Sequence, residues 1–180
     1  MHPFKVIKTR NIFRGKILKV RVDTLDIGAK NLVEREVVEH PGAVVIAAID
    51  DLGRVLLVRQ FRHAAGEHLL ELPAGTIEPG EEPLATAGRE LREETGFAPG
   101  TIEHAGGFYT APGFCDEYLH FFIARNLEEK PLQGDPDEDI EVIAANLDTI
   151  TDLIETGAIK DAKSIAGLLR VLIIEQGKTL

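Results

Sequence analysis

Glu90, Glu93 and Glu94 are the residues of this chain whose types and spacing most directly imply chemistry. On a helix Glu90 and Glu94 lie one turn apart with Glu93 beside them, so three carboxylates converge where mutual repulsion is unfavourable. A hard divalent cation removes that conflict. Carboxylate oxygens are the ligands Mg²⁺ selects, and Mg²⁺ completes its octahedron with waters and phosphate oxygens instead of a full protein cage. The set therefore suits a metal shared with a phosphate ester. A plainer reading is a solvated helix face on which Arg89 and Glu93 pair at i, i+4. Against it stand the isolated Glu81, the glycines Gly75 and Gly96, and the apolar Leu91 and Phe97, all in register with the carboxylates.

The elements that must position these groups can be read from caps and periodicity. Pro83 belongs in a first helical turn, where its missing N–H is unpaired anyway, and Gly96 supplies a left-handed stop. Residues 83–95 are therefore expected to form the helix that carries the carboxylates, with Leu84, Ala87 and Leu91 as its apolar stripe. Segments 4–9, 12–25 and 32–40, separated at Asn11 and at 27–31, predict an antiparallel N-terminal sheet. Segments 43–49 and 54–59 flank Asp50-Asp51-Leu52-Gly53, a hairpin signal. Further strands are expected near 68–72, 101–110, 116–125 and 139–145. Asp148 is expected to cap a helix that Gly157 ends, and 162–175 reads as the last helix. Strands, one charged helix, more strands and two terminal helices indicate a mixed α/β sandwich with a central sheet between helices.

Gly75-Thr-Ile-Glu-Pro-Gly-Glu81, followed after seven residues by Arg89-Glu90-Leu91-Arg92-Glu93-Glu94-Thr95-Gly96-Phe97, fills every defined position of G-x5-E-x7-R-E-U-x-E-E-x-G-U, where U is bulky and apolar. The segment resembles the Nudix box of diphosphate hydrolases. The order of elements resembles the Nudix fold over residues 40–175, which implies an α/β/α sandwich with a mixed central sheet, preceded here by antiparallel strands. On that resemblance, 1–40 is an N-terminal β extension for dimerisation and nucleotide contacts, and 41–180 is the hydrolase domain. Segments 35–44, 58–62 and 70–75 look like the ADP-ribose pyrophosphatase branch. That branch carries a proline about sixteen residues beyond the box, and Pro112 lies sixteen residues after Gly96.

The resemblance implies roles. The backbone carbonyl of Ala74 and the carboxylates of Glu90 and Glu94 hold metal, and Glu93 is a further ligand or orients water. Glu81 and Arg89 brace the loop. Arg62 contacts substrate phosphates, for which a planar guanidinium is suited, unless it simply ends a strand in solvent. Glu71 bonds substrate or caps the sheet edge. Ala111, Pro112 and Gly113 set backbone groups beside the substrate, and Glu117 contacts the terminal ribose; a plain turn at 112–113 is the competing reading. Arg35 and Glu36 reach the nucleotide, in many family members across a homodimer with exchanged N-terminal strands. In the acidic loop 133–139, Glu138 is the candidate general base and metal-side group. Pro136 stands where one family carboxylate sits, which leaves Asp135 and Asp137 as substitutes.

Composition narrows the class further. A net charge of −10 and a pI near 5.1 disfavour binding to nucleic acid or anionic membrane and favour a small metabolite. The single cysteine, Cys115, forms no intrachain disulfide, and a start without an apolar signal core points to the cytoplasm. Neither H-E-x-x-H nor a phosphate-binding G-x-x-x-x-G-K-[ST] loop is present. The expected activity is Mg²⁺-dependent hydrolysis of ADP-ribose to AMP and ribose 5-phosphate, with Mn²⁺ or another divalent cation able to substitute. The alternatives are another nucleoside diphosphate-linked substrate, such as GDP-mannose or a dinucleotide, and a non-catalytic ADP-ribose sensor.

Overall fold

The computed structural model describes residues 4–29, 31–134 and 139–177. They form two units: the described residues of Met1–Gly42 with Tyr109–Tyr118, and those of Ala43–Phe108 with Leu119–Leu180.

The first unit is a three-stranded antiparallel sheet in the order β1 (Lys5–Arg14), β2 (Lys19–Asp26), β3 (Leu32–Glu39). The expected break at Asn11 is not where the chain turns. Asn11 pairs with Arg21 beside a register shift, so it bends the strand without ending it. The turn comes at Gly15, whose N–H donates to the Leu18 carbonyl at 2.9 Å. The loop between Tyr109 and Tyr118 is stitched to β3, Val38 N–H donating to Phe114 O (2.7 Å) and Asp116 N–H to Val38 O (3.1 Å).

The second unit is built on a seven-stranded sheet, β10-β5-β4-β9-β8, with β6 pairing β5 and β7 pairing β4. Its strands are β4 (Ala43–Ile49), β5 (Arg54–Arg62), β6 (Glu67–Glu71), β7 (Ala74–Thr76), β8 (Phe97–Tyr109), β9 (Tyr118–Glu129) and β10 (Ile140–Asn146). β4 runs parallel to β9 and antiparallel to β5 and β7, so the sheet is mixed. Every residue of β4 is buried, because both faces are covered. Val45, Ala47 and Ile49 pack with Leu57, Phe121, Leu168 and Val171, beneath α2 (Ile150–Glu155) and α3 (Ala162–Gly177). Val44, Ile46 and Ala48 pack with Phe122, Ala87 and Leu91, beneath α1 (Pro83–Thr95). The α/β/α sandwich expected from the order of elements is the one observed.

Two local expectations are corrected. Leu84 is 52% exposed: α1 meets the sheet through Ala87 and Leu91, and Leu84, at its second position, stands outside that contact. Asp148 does not cap a helix. It lies inside a 3₁₀ turn, Leu147–Thr149, that Thr149 closes by donating from Oγ1 to the Asn146 carbonyl at 2.8 Å. β7 is an addition, since three residues are too few for periodicity to register. Among the described residues no helix is long and apolar enough to cross a membrane.

Candidate active site

The acidic helix begins at Pro83 in its first turn and ends at Gly96, which takes the left-handed conformation (φ 81°) and donates to Arg92 O at 3.1 Å. Burial of Ala87 and Leu91 against the sheet then sets the azimuth of the helix, and with it the direction of Glu90 and Glu94. Both reach back to β7. The Ala74 N–H donates to Glu94 Oε2 at 3.0 Å. Glu90 fills the place a side chain would take at Gly75: a methyl there would lie 1.9 Å from Glu90 Cδ and 2.1 Å and 2.3 Å from its oxygens. The glycine of the loop is thus the seat of a carboxylate.

Arg89 holds the rest together. Its Nε and Nη2 donate to the two oxygens of Glu81 (3.0 and 2.9 Å), and its Nη1 donates to both Glu90 Oε1 and Glu93 Oε2 at 2.8 Å. The hydrogen bond from Arg89 brings the Glu81 carboxyl down to about 2, and the same bond to Glu81 raises the Arg89 guanidinium further above its ordinary range. Glu81 and Arg89 brace the loop as expected. Among the described residues no three His, Cys, Asp or Glu side chains gather into a ready metal cage. Glu90 and Glu94 meet at the Ala74–Gly75 backbone while Glu93 turns to Arg89. Two hard carboxylates on one peptide segment fit a divalent cation that takes its remaining ligands from water and phosphate.

At the end of β5, Arg62 Nε and Nη2 donate to the two oxygens of Glu71, each at 2.8 Å. Glu71 is only 1% exposed. Burial is the largest influence on its carboxyl and pushes it up, but the hydrogen bond from Arg62 and the nearby Lys163 ammonium outweigh it and leave the group below the ordinary carboxylate range. The Glu71 hydrogen bond raises Arg62, and Glu94 adds to that through space.

The NUDIX domain family profile matches residues 38–168, which contain every group described above. The chain belongs to the NUDIX family. An ADP-ribose pyrophosphatase of Bacillus subtilis (strain 168) is 40% identical over 162 residues, covering 89% of this chain and 88% of its own length. An ADP-ribose pyrophosphatase of Mycobacterium tuberculosis (strain ATCC 25618 / H37Rv) is 37% identical, covering 98% and 86%. A crystal structure of an ADP compounds hydrolase superposes with a TM-score of 0.89 at 23% identity, covering 99% of this chain and 97% of that one, and shares its fold.

The N-terminal unit of this NUDIX chain carries Arg35, Glu36, Ala111, Pro112, Gly113 and Glu117. Arg35, Glu36 and Gly113 come together on a cleft of about 380 Å³, with Arg10, Glu34 and Phe114 as further walls. Arg35 Nη1 donates to the Glu34 carbonyl at 3.0 Å. Glu117 accepts from Thr110 Oγ1 at 2.8 Å and stands 3.4 Å from His40 Nδ1. Ala111, Pro112 and Gly113 form a turn in which Ala111 O accepts from the N–H groups of Phe114 (3.1 Å) and Cys115 (2.9 Å). Glu138, with Asp135 and Asp137, lies outside the described residues. Sequence reasoning missed Arg10 and Phe114, which have no motif and reach the cleft only through strand pairing and the loop's attachment to β3. It also missed Lys163, whose one signal is its place just inside the start of α3.

Proposed function

We propose that this chain hydrolyses the diphosphate of ADP-ribose to AMP and ribose 5-phosphate with Mg²⁺, for which Mn²⁺ or another divalent cation substitutes. The observation that carries the reading is the convergence of Glu90 and Glu94 on the Ala74–Gly75 backbone. The Ala74 carbonyl, Glu90 and Glu94 would hold the cation, and Glu93, released from Arg89, would join them or orient the water. A bound divalent cation would neutralise charge on the diphosphate. Water oxygen attacks one phosphorus, the bond from that phosphorus to the bridging oxygen breaks, and the water proton passes to a general base, which we assign to Glu138. Arg62 takes the substrate phosphates, held for that purpose by Glu71. The relatives named for ADP-ribose support this substrate over GDP-mannose or a dinucleotide.

Arg35, Glu36, Glu117 and the backbone of Ala111, Pro112 and Gly113 would receive the nucleotide and terminal ribose. We assign the active form to a homodimer with exchanged N-terminal strands. Supporting it, all ten residues of β1 are exposed, among them Val6, Ile7, Ile12 and Phe13, an apolar surface that a second copy would cover. The cytoplasm is the compartment we assign, consistent with a single cysteine.

The test is product analysis with purified protein, Mg²⁺ and a panel of ADP-ribose, GDP-mannose, NADH and diadenosine polyphosphates, with Glu94→Gln as control. AMP should appear fastest from ADP-ribose and vanish in the control. Tight ADP-ribose binding with no turnover of any compound would overturn hydrolysis in favour of a sensor.

A further inference from the structure

The cationic partner of the buried Glu71 that no motif announces is Lys163, at the start of α3. Its Nζ donates to Glu71 Oε2, the same oxygen that accepts from Arg62 Nη2, and also to Asp161 Oδ2 at 3.0 Å. Asp161 Oδ2 is fixed in turn, accepting from Ser164 N–H at 2.9 Å and Ser164 Oγ at 2.6 Å, which is the geometry of a helix N-cap. Ser164 Oγ accepts from the Leu72 N–H at 2.7 Å, two residues before the Ala74 metal loop. The first turn of α3 therefore grips the chain at Glu71 and at Leu72.

Charge within this cluster is balanced: Arg62 and Lys163 against Glu71 and Asp161, with the Glu94 carboxylate also acting on Arg62. Arg62 alone could satisfy Glu71 as an ion pair, because a bidentate fork already meets both oxygens. Lys163 adds something different. By holding one oxygen of Glu71 from the α3 side, it stops the carboxylate from turning about its last torsion, and a carboxylate that cannot turn fixes the plane of the guanidinium bound to it. The Lys163 side chain is 15% exposed and the Arg62 side chain 36%, so the lysine is the inner, anchored cation and the arginine is the one that can meet a ligand.

We propose that Lys163 is a positioning residue for the hydrolysis, which acts through Glu71 to fix the plane of the Arg62 guanidinium and so aims the edge that Glu71 leaves for the substrate phosphates. This rests on the assignment of Arg62 to those phosphates. Because Arg62 holds the phosphates in ground and transition states alike, loss of its alignment raises KM more than it lowers kcat. A lysine that only supported the fold would leave that ratio unmoved once the protein was folded.

The experiment is steady-state kinetics with ADP-ribose and saturating Mg²⁺ on Lys163→Met, Lys163→Gln, Lys163→Arg, Arg62→Ala and Arg62→Ala/Lys163→Met, each checked for folding by circular dichroism and thermal melting. Lys163→Met should raise KM at least about tenfold with kcat within about threefold, and Lys163→Arg should recover most of the loss. In the Arg62→Ala background the same change should add less than about twofold, since there is no fork left to align. Lys163→Gln, which keeps a hydrogen-bond donor, reads the same KM should the methionine variant fail to fold. KM unchanged in Arg62→Ala would sink both this inference and the phosphate role of Arg62. KM raised in Arg62→Ala beside an unchanged KM in the folded Lys163 variants would overturn the positioning role alone.

Discussion

Replacing Gly75 by alanine should disable the site while leaving the fold intact, because the atoms nearest the added methyl all belong to the end of one flexible side chain, Glu90. The new carbon would lie 1.9 Å from Glu90 Cδ. Ordinary carbon contacts begin near 3.5 Å, so the carboxylate must withdraw by about 1.6 Å. Glu90 is a flexible side chain that can withdraw by changing rotamer, at a cost of about 1 kcal/mol. Gly75 is not among the glycines with positive φ, so alanine suits its backbone and returns part of that cost through the unfolded state. The melting temperature should therefore move by less than about 4 °C. Function has no such compensation. A displacement of about 1 Å in a positioned catalytic group lowers rate by about a hundredfold, equivalent to about 2.7 kcal/mol in the barrier. Turnover of ADP-ribose should fall by about that factor, and the Mg²⁺ concentration giving half-maximal rate should rise. Gly88→Ala is the control: it lies in α1, the helix that carries Glu90, with open space around its would-be methyl. That variant should melt higher and turn over normally. Gly75→Ala with turnover within threefold of the parent and an unchanged Mg²⁺ requirement would refute the view that Gly75 is there to seat the Glu90 carboxylate.

Glu138→Gln should lower turnover at least about a hundredfold with little change in KM, as lost proton transfer requires, and near-normal turnover would move the role to Asp135 or Asp137. Acid stability should depend on Glu81. Its folded carboxyl titrates at about 2 against an ordinary 4.5, so its stabilisation is fully present above about pH 5 and is lost as pH falls through 4.5 towards 2. Glu81→Gln should flatten the fall in melting temperature over that window, and parallel curves for both proteins would contradict the reading. Light scattering should give twice the 19.7 kDa chain mass, and activity should fall as dilution produces monomer. Full turnover at a concentration where the protein is demonstrably monomeric would remove the exchanged-strand assignment.

How much of this was legible beforehand follows the distance in sequence over which each contact is made. The acidic helix was readable to the residue, because Pro83, Gly96 and the spacing of Glu90, Glu93 and Glu94 are all local rules. The bracing role of Glu81 and Arg89, eight residues apart, followed from the motif they share. Asn11 carries turn character while the chain turns at Gly15, and only pairing with β2 reveals that the strand bends at Asn11 and continues. Gly75 was visible as an invariant of the pattern, but its reason was not: the glycine serves a carboxylate fifteen positions on, a relation that exists only once β7 lies against α1.

Lys163 is the extreme case. It meets Glu71 across 92 residues, and in sequence it is only the start of the helix expected over 162–175. That reading is correct and incomplete. The same aspartate that caps α3 also receives Lys163, and the same serine that it binds receives the Leu72 amide, so the cap geometry dictates where the lysine and the serine stand relative to β6. A helix cap is local physics, and the phosphate role proposed for Arg62 is a property of the site. Here they are joined by one buried carboxylate, Glu71. Substitutions at the start of α3 should therefore be read first in KM, and only the loss of the Asp161 cap itself should be read first in stability.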